Sequence, residues 1–581
     1  MFPNGHAGSL GGPSRVKEGT HPTDPLPSGA LLGRVFCSDR EVCVLDDVLR
    51  EFRDGYYERA PMLAVNSGLH EYDGLLPDFS TTAVAERLTW LEHTRARALS
   101  IDGAELTDQQ VMLRDYLVVV VDTDLFNLRE LRVLENNTWF DYLALDPNLY
   151  LARDYAPLGH RMDAYTKHVE NLPQALAAMR ALVKPMPPGH AEAFQTYLDG
   201  LAEFVTSAPY EVFAPVADHG RQSAMRDAND RAAAALGDLA RWIESSPRDP
   251  DFALGGEKYQ AFLWALERLD TPFEELAAMA WQDLELNTRA LQDACAAFRP
   301  GATVQQCRDQ VAARKPADGP VDAARRQLEL LRSLVVEREI VTVPDMEVVV
   351  AESPPHQRSG TAYISVAGPY EPDQPSYYYI SPPDPTWSHE HRLAYTQSEA
   401  DLMTTSTHCV WTGHILEAML CHRPGNALAE FTYSYAFCEG WCAYSEEMML
   451  HEALDDDPEL TIGQLQNALL GDVRVLVSIG LHTGGMTLDQ AERLFRERAF
   501  CDSENARMEA IRGSFDPGYL FYAVGKWMVT KLRDDWMALH PDRSLRDFHD
   551  AFLSHGDAPI ALLRRLLLGD GDDGRLLAAP S

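Results

Sequence analysis

The segment Thr407-His408-Cys409-Val410-Trp411-Thr412-Gly413-His414 places two histidines in a part of the chain whose apolar residues recur with helical spacing. A second segment, Phe437-Cys438-Glu439-Gly440-Trp441-Cys442-Ala443-Tyr444, adds a carboxylate further along the chain. Two imidazoles and one carboxylate are a ligand set of catalytic zinc sites, which keep a fourth position open. The two segments therefore predict a metal centre formed by His408, His414 and Glu439.

The spacing of the two histidines sets a condition on this centre. His408 and His414 are 6 residues apart, which places them about 120° from each other around a regular helix. Both can meet one ion only if the helix is broken or bulged between them, and Thr412-Gly413 permits such a break because glycine tolerates unusual backbone angles. The alternative is a pair of structural histidines on an unbroken helix.

Two glutamates in the second segment lie on one face of a predicted helix. Glu439 and Glu446 are 7 residues apart and are surrounded by aromatic residues such as Phe437 and Trp441. A carboxylate in such surroundings is expected to be paired, protonated or bound to metal, because an isolated buried charge is costly. We expect Glu439 to be the third ligand and Glu446 to orient a ligand histidine. Exposure of one or both glutamates to solvent is the alternative.

The composition restricts the partners of the chain. It has 581 residues, 45% of them hydrophobic, and a formal net charge of −37. Such an acidic surface disfavours nucleic acid and anionic membranes, since phosphate binding needs clustered Lys and Arg. No stretch of about 20 apolar residues is present to span a membrane. The 9 irregularly spaced cysteines favour a reducing, cytoplasmic location over a disulfide framework.

The pattern along the chain predicts a mainly α fold. We expect residues 1–34 to be a flexible leader, residues 35–568 a single large helical domain, and residues 569–581 a flexible tail. Three segments rich in β-branched and aromatic residues break the helical rhythm, and they predict a small sheet at about 347–381, just before His408. This sheet either binds an extended substrate by adding a strand or only covers the helical core. The segments are Glu347–Glu352, Thr361–Ala367 and Ser376–Ser381.

Several further motifs accompany the two segments. They are Gly68-Leu69-His70-Glu71-Tyr72-Asp73, Glu439-Gly440-Trp441 with Tyr444 and Glu446, Gly480-Leu481-His482, Arg512, Pro517-Gly518 and Tyr522-Ala523-Val524-Gly525. With these motifs the chain resembles the domain-of-unknown-function 885 family (DUF885), bacterial proteins that look like zinc peptidases of the gluzincin type. The resemblance covers about residues 35–568.

The resemblance implies a mostly helical domain with a deep central cleft. It also implies one divalent metal, zinc, held by His408, His414 and Glu439. Three more residues would then face the substrate or an oxyanion: His482, Arg512 and Tyr522. The alternative for two of these is structural, with Arg512 in an internal salt bridge and Tyr522 packed in the core.

The chain also departs from the family pattern around its first histidine. Cys409 stands where the family has Glu, Thr412 where it has Pro, Ile415 where it has a second His, and Glu417 where it has Gln. In a gluzincin the missing Glu takes a proton from metal-bound water and passes it to the leaving amine. A thiol has a shorter reach and, as a thiolate, ligates metals. Glu417 is a candidate displaced base, although it lies about 60° from His414 around a regular helix.

These residues leave three functions open. The first is a metal-dependent hydrolase with an altered proton shuttle, acting on a small molecule or a short peptide-like amide or ester, with ordinary peptidase activity not expected. The second is a metalloenzyme repurposed as a lyase, a cyclase or an oxidative enzyme with Fe2+, since two His and one carboxylate also bind non-haem iron. The third is a non-catalytic relative that keeps the cleft for binding or structure.

The cysteines near the centre suggest one more metal site. Cys438 and Cys442 are 4 residues apart, on one helical face, and could bind a soft metal together with His414 or His422. The alternative is that these cysteines are buried and reduced, and act as small hydrophobic residues.

Overall fold

The structure is a computed structural model, and it describes residues 40–136, 142–353, 361–371, 373–383, 385–422 and 434–578. The predicted leader, residues 1–34, lies outside the described residues, as do the last three residues of the predicted tail.

Helices form most of the described chain, which confirms the mainly α prediction. None of them is long and apolar enough to cross a membrane. The first thirteen are α1 Arg40–Arg59, α2 Pro61–Asn66, α3 Thr81–Leu99, α4 Asp108–Phe126, α5 Val133–Asn136, α6 Leu149–Ala152, α7 Leu158–Leu182, α8 Pro188–Val212, α9 His219–Ser245, α10 Gly256–Glu267, α11 Phe273–Phe298, α12 Val304–Ala312 and α13 Pro320–Glu337. After the strands follow α14 His389–Tyr395, α15 Glu399–Cys409, α16 His414–Cys421, α17 Tyr435–Glu452, α18 Pro458–His482, α19 Leu488–Arg498, α20 Ser503–Phe515, α21 Phe521–Leu539, α22 Leu545–Leu553 and α23 Ile560–Leu568.

A small sheet of three strands lies beside α15, as predicted. Strands β1 Val348–Glu352, β2 Ala362–Ser365 and β3 Ser376–Ile380 are arranged in the order β1-β3-β2. β1 runs parallel to β3, and β2 runs antiparallel to it. The Tyr378 hydroxyl on β3 is 3.4 Å from the Ser406 hydroxyl on α15. Because Tyr378 is fully buried, this sheet covers the helical core next to the predicted metal helix.

The buried residues form two clusters. One lies mainly within the group of α7, α8 and α9, which pack on one another. The other includes α4, α11, α15, α17, α18 and α21. The groups meet where α8 contacts α20, and there the His190 imidazole Nε2 is 3.0 Å from the Ser514 carbonyl. The candidate metal ligands belong to the second group.

A close approach of two helices fixes the position of Glu439. A Cβ atom on Gly440 of α17 would lie 2.4 Å from the carbonyl carbon of Gly525 on α21. A Cβ atom on Gly525 would in turn lie 2.4 Å from the Ala436 carbonyl oxygen. Only glycine fits at both positions, so the backbones of α17 and α21 touch. This contact sets Glu439 on α17 at a fixed distance from Tyr522 on α21.

A buried glutamate of α10 anchors the start of α17. Glu267 accepts hydrogen bonds from the Ser434 hydroxyl at 2.7 Å and from the Ala436 backbone N–H at 3.0 Å. Ser434 also caps the helix, because its side chain accepts from the Phe437 backbone N–H. Burial raises the pKa of Glu267 to about 7. The first turn of α17 is therefore held by another helix as well as by its own cap.

Ion pairs connect the described part of the predicted tail to α23. Residues Gly569–Gly571 form one 3₁₀ turn. The fully buried Arg564 of α23 then donates to Asp572 at 2.9 Å and to Asp573 at 3.1 Å. A buried guanidinium needs anionic partners, and the first residues of the tail supply them.

Candidate metal centre

A helix break brings the two histidines together. Helix α15 ends at Cys409, Val410 leaves the helical region with φ −129° and ψ −76°, and α16 begins at His414. The Gly413 backbone N–H donates to the Thr407 carbonyl at 3.0 Å, which folds the connection back on α15. The break that the spacing required is therefore present, and it lies at the predicted glycine.

The distances among the three predicted ligands fit a divalent metal. His408 Nε2 and His414 Nε2 each lie 3.4 Å from Glu439 Oε2. Zinc bound tetrahedrally at about 2.0–2.1 Å from each donor separates neighbouring donor atoms by about 3.3–3.4 Å. The imidazole rings meet nearly at right angles, at 82°, with their centroids 4.9 Å apart. The three side chains thus have the spacing of donors around one ion rather than of tight direct hydrogen bonds.

Each histidine faces a second carboxylate with its other nitrogen. His408 Nδ1 is 2.7 Å from Glu446 Oε1, and His414 Nδ1 is 3.9 Å from Glu417 Oε2. A carboxylate on the far nitrogen of a ligand histidine fixes its tautomer and orientation. Glu446 lies where an orienting role for it was predicted. Glu417 lies on the side of His414 away from Glu439, so its position does not suit the displaced base that the sequence suggested.

Opposite charges concentrate in this cluster. Burial favours the neutral form of Glu439, but His414 and His408 beside it hold the pKa of that carboxyl well below its usual range. Burial also opposes charge on His408, but Glu439 and Glu446 raise its pKa well above the usual value. The histidines and the glutamate therefore favour one another's charged forms.

Cys409 is in a poor position to replace the missing glutamate. It is 5% exposed and belongs to the hydrophobic core. Burial raises the pKa of the Cys409 thiol to about 11. The thiol is therefore neutral near pH 7, and it is neither a base for proton transfer nor a thiolate.

A different cysteine lies next to the histidines. Cys442 is fully buried, and its sulfur and one nitrogen of each ligand histidine all lie within 4.8 Å of one another. Burial raises the pKa of the Cys442 thiol to about 12. Cys438, one turn earlier, instead donates to Glu417 Oε1 at 3.7 Å. The two cysteines of the predicted soft-metal pair thus have different neighbours, and Cys442 is a fourth potential donor at the centre.

A cavity of about 230 Å³ opens beside His408. Its walls come from α15, α17, α18 and α21, and they carry charges of both signs. The polar and charged lining residues are Thr405, His408, Glu446, Gln464, Asn467, Asp472, Arg474, Tyr522 and Lys526. A small polar molecule fits this space next to the candidate metal ligands.

Tyr522 lies at the cavity, next to the metal ligands. Its ring stacks on the His408 ring at 14° with the centroids 6.4 Å apart. The Arg474 guanidinium lies over the same ring, 4.6 Å from its centroid. Burial and the nearby Glu439 raise the pKa of Tyr522, so its hydroxyl keeps its proton near pH 7. The structure therefore brings one of the three predicted substrate-facing residues to the cavity.

Arg512 is held in internal contacts. Its Nε donates to Asp516 at 3.0 Å, and its terminal nitrogen donates to the Tyr435 hydroxyl at 2.9 Å and to the Tyr522 hydroxyl at 3.5 Å. An internal salt bridge was the alternative expected for Arg512, and the contact with Asp516 is such a salt bridge. Arg512 therefore pairs its charge with Asp516 and contacts the Tyr522 hydroxyl.

His482, which was expected to face the substrate, is not among the residues that line this cavity. It ends α18, is 1% exposed, and packs on the rings of Tyr259 and Phe252. Its Nε2 donates to the Gly513 carbonyl at 2.8 Å. Burial lowers the pKa of His482 to about 4. The motif histidine thus joins α18 to α20 in the core.

We expect the neutral His482 to make the fold sensitive to acid. Its pKa is about 4 in the folded chain and about 6.5 in the unfolded chain, so its contribution to stability is complete above pH 6.5 and is lost as the pH falls towards 4. In that window His482→Gln should remove up to about 1.4 kcal/mol per pH unit from the slope of the unfolding free energy. Urea titrations at several pH values measure this slope. His93→Gln, which changes an exposed histidine, is the control. If both variants showed the same dependence of the unfolding free energy on pH, His482 would not be the source of the acid sensitivity.

Two cationic residues of the cavity were not predicted from the sequence. Arg474 of α18 forms a two-pronged salt bridge with Glu509, at 2.9 and 2.7 Å. Lys526 of α21 contacts Asp283 at 3.3 Å and Glu447 at 3.1 Å. The sequence feature that could have predicted Arg474 is its place as a single Arg inside the apolar run Val473-Arg474-Val475-Leu476. A lone charge in such a run needs a buried partner or a cavity.

The fold and the site together define a mainly helical protein with a cavity beside a His–His–Glu cluster. The chain belongs to the DUF885 family, described as "Bacterial protein of unknown function", whose model matches residues 61–567.

Two solved structures have a similar fold. A putative lipoprotein of unknown function from Shewanella oneidensis is 20% identical with a TM-score of 0.71, and the match covers 90% of this chain and 99% of that one. The putative lipoprotein from Colwellia psychrerythraea is 16% identical with a TM-score of 0.75, with 91% and 99% covered. At such identities the similarity is one of fold alone. No curated protein matches the chain.

Proposed function

We propose that the chain is a metal-dependent hydrolase of gluzincin type with an altered proton shuttle, acting on a small molecule or a short peptide-like substrate. The observation that carries this proposal is the pair of 3.4 Å distances from Glu439 Oε2 to the Nε2 atoms of His408 and His414. These distances match a zinc tetrahedron, and three protein donors leave one position open. A divalent ion at that place supplies Lewis-acid polarisation of a carbonyl oxygen.

The surrounding residues have separate roles in this proposal. Glu446 and Glu417 hold the two imidazoles in orientation through their Nδ1 atoms. The Tyr522 hydroxyl, which keeps its proton near pH 7, donates a hydrogen bond to the oxyanion that develops on the substrate. Arg512 fixes the position of that hydroxyl.

Amides and esters differ in whether their leaving group needs a proton, and this difference favours esters as substrates. An amide leaves only when its nitrogen receives a proton, and the family's glutamate delivers that proton. The buried neutral thiol of Cys409 does not take up and return a proton near pH 7. An ester of an acidic alcohol leaves as an anion without this help. We therefore propose ester hydrolysis and expect little or no peptidase activity.

Removal of the Tyr522 hydroxyl tests this proposal. In the zinc-loaded protein, Tyr522→Phe should lower kcat on an activated ester by about 10²-fold, the usual effect of losing one oxyanion donor. Steady-state kinetics measure kcat, and metal content confirms equal loading. Tyr377→Phe makes the same change on β3, outside the residues that line the cavity, and should leave kcat unchanged. Equal kcat in all three proteins would exclude the role of Tyr522.

Two further measurements separate the remaining alternatives. Cys409→Glu tests whether the family's base was lost, because a gain of peptide hydrolysis supports an inherited gluzincin site. Strong proteolysis by the unchanged protein contradicts this interpretation of Cys409. The metal content of the purified protein separates a hydrolase from an oxidative enzyme, since the former holds zinc and the latter iron.

A non-catalytic metal site is the second candidate, and the position of Cys442 favours it. Its sulfur lies within 4.8 Å of donor atoms on both ligand histidines. Two His, one Glu and one Cys would close a zinc tetrahedron and leave no position for a substrate. Cys442→Ala separates the two candidates: a closed structural site loses metal affinity and thermal stability, whereas an open catalytic site keeps both.

Two observations bear on the cellular location of the protein. The described cysteines are free thiols, in keeping with the predicted reducing cytoplasm. The two similar structures are described as putative lipoproteins, which favours the cell envelope if this chain shares that property. Fractionation of cells that produce the protein distinguishes the two locations.

A further inference from the structure

A second group of metal-binding side chains lies behind His414. It consists of Glu417 and Cys421 on α16 and Asp557 in the connection between α22 and α23. One donor atom from each residue lies within 4.8 Å of the other two. Their exposed fractions are 3%, 1% and 2%, so the cluster is buried. Two carboxylates and a thiol are a donor set for a divalent ion of borderline softness.

An imidazole faces each carboxylate of this group. The described cation in contact with it is His422, whose Nε2 is 3.0 Å from Asp557 Oδ2. Glu417 receives the weak thiol hydrogen bond of Cys438 at 3.7 Å and faces His414 Nδ1 at 3.9 Å. The two carboxylates lie close together in the protein interior, where a cation between them is favourable.

Two buried polar atoms at the same place point independently to a ligand. Asp557 Oδ1 has no hydrogen-bond partner among the described residues. The hydroxyl of Tyr116 on α4 also has none within the described part of the chain, and this residue is fully buried. The pKa of Tyr116 is raised first by burial and then by Asp557, Cys438, Cys421 and Glu267, so its hydroxyl is in the neighbourhood of this cluster. Buried polar atoms normally have partners, and a bound ion with its water would supply both.

We propose that Glu417, Cys421 and Asp557 bind a second divalent metal ion, separate from the ion at His408, His414 and Glu439. On binding, the Cys421 thiol loses its proton to solvent and the thiolate coordinates the metal. Glu417 faces both centres, because one of its oxygens lies 3.9 Å from His414 Nδ1. Its carboxylate therefore links the second ion to the orientation of a ligand of the first.

A cobalt titration of the whole metal-free protein tests this proposal. Co2+ is the probe because it replaces zinc and shows a charge-transfer absorption when a thiolate binds it. We expect two equivalents of Co2+ and a sulfur-to-cobalt band that saturates with one of them. Cys421→Ser, a nearly isosteric change, should abolish the band and the second equivalent while the first remains.

Matched variants decide between the two cysteines. Cys442→Ser should keep two equivalents and the band. If instead Cys442→Ser removes the band and Cys421→Ser does not, the thiolate belongs to the first centre and the proposal fails. Uptake of a single equivalent by the unchanged protein also overturns it, because the two carboxyls then share a proton. Asp557→Asn provides a second route to loss of the second equivalent, and melting curves confirm that each variant is folded.

Discussion

Replacing His408 by alanine is expected to abolish stoichiometric metal binding at the His–His–Glu centre. The change removes one of the two imidazole nitrogens that lie 3.4 Å from Glu439 Oε2. His414→Ala and Glu439→Gln should have the same effect. Glu446→Gln leaves the donors in place and removes only the partner of His408 Nδ1, so it should cost about 10–100-fold in affinity. Competition with a chromophoric chelator measures these affinities.

The control for this series is an exposed histidine. His93 on α3 offers the same imidazole at the surface, and His93→Ala should bind metal as the unchanged protein does. Equal metal affinity in His408→Ala, His414→Ala and the control would remove the assignment of this centre.

Gly413→Ala is expected to disrupt both the fold near the centre and metal binding. A Cβ atom at this position would lie 1.7 Å from the carbonyl oxygen of His408 and 2.4 Å from its carbonyl carbon. Relief of this clash must move the backbone of a ligand residue, so we expect a loss of about 3 kcal/mol or more in the free energy of unfolding. Denaturant titration measures the loss, and metal affinity should fall with it.

A glycine in open surroundings is the matched control for this change. A Cβ atom on Gly200 of α8 would meet no atom within 4 Å. Gly200→Ala should therefore be neutral or stabilise the helix by about 0.5–1 kcal/mol. If Gly413→Ala behaves like Gly200→Ala, the close contact with His408 does not exist in solution.

The helices, the three strands and the ligand trio could be predicted because local patterns encode them. Helical periodicity marked the core-facing positions, and β-branched runs marked the sheet. The six-residue spacing of His408 and His414 required a helix break, and Gly413 was the residue able to form it. The helices, the three strands and the helix break are present in the structure, whereas metal binding by the trio stays a prediction.

The long-range contacts could not be predicted, because they depend on which helices meet. Glu267 caps a helix that begins far along the chain, and no local pattern connects it to Ser434. His482 and Arg512 are polar residues in recognisable motifs, which suggested a role at the substrate. Their partners, the Gly513 carbonyl and Asp516, instead place them in structural roles. A motif identifies a residue that matters, while tertiary packing decides what it does.

Because carboxylates flank the two imidazoles, a proton and a metal ion would compete for the same place between them. In the tautomer that donates Nδ1–H to Glu446, the Nε2 lone pair of His408 points at the anionic Glu439. This lone pair and the carboxylate repel each other. The arrangement is therefore stable only when a cation, either a metal ion or a proton, lies between them. Protons therefore compete directly with the metal, and the apparent affinity should fall as the medium is acidified. We therefore expect the proposed centre to release its ion as the pH falls and to take it up again as the pH rises.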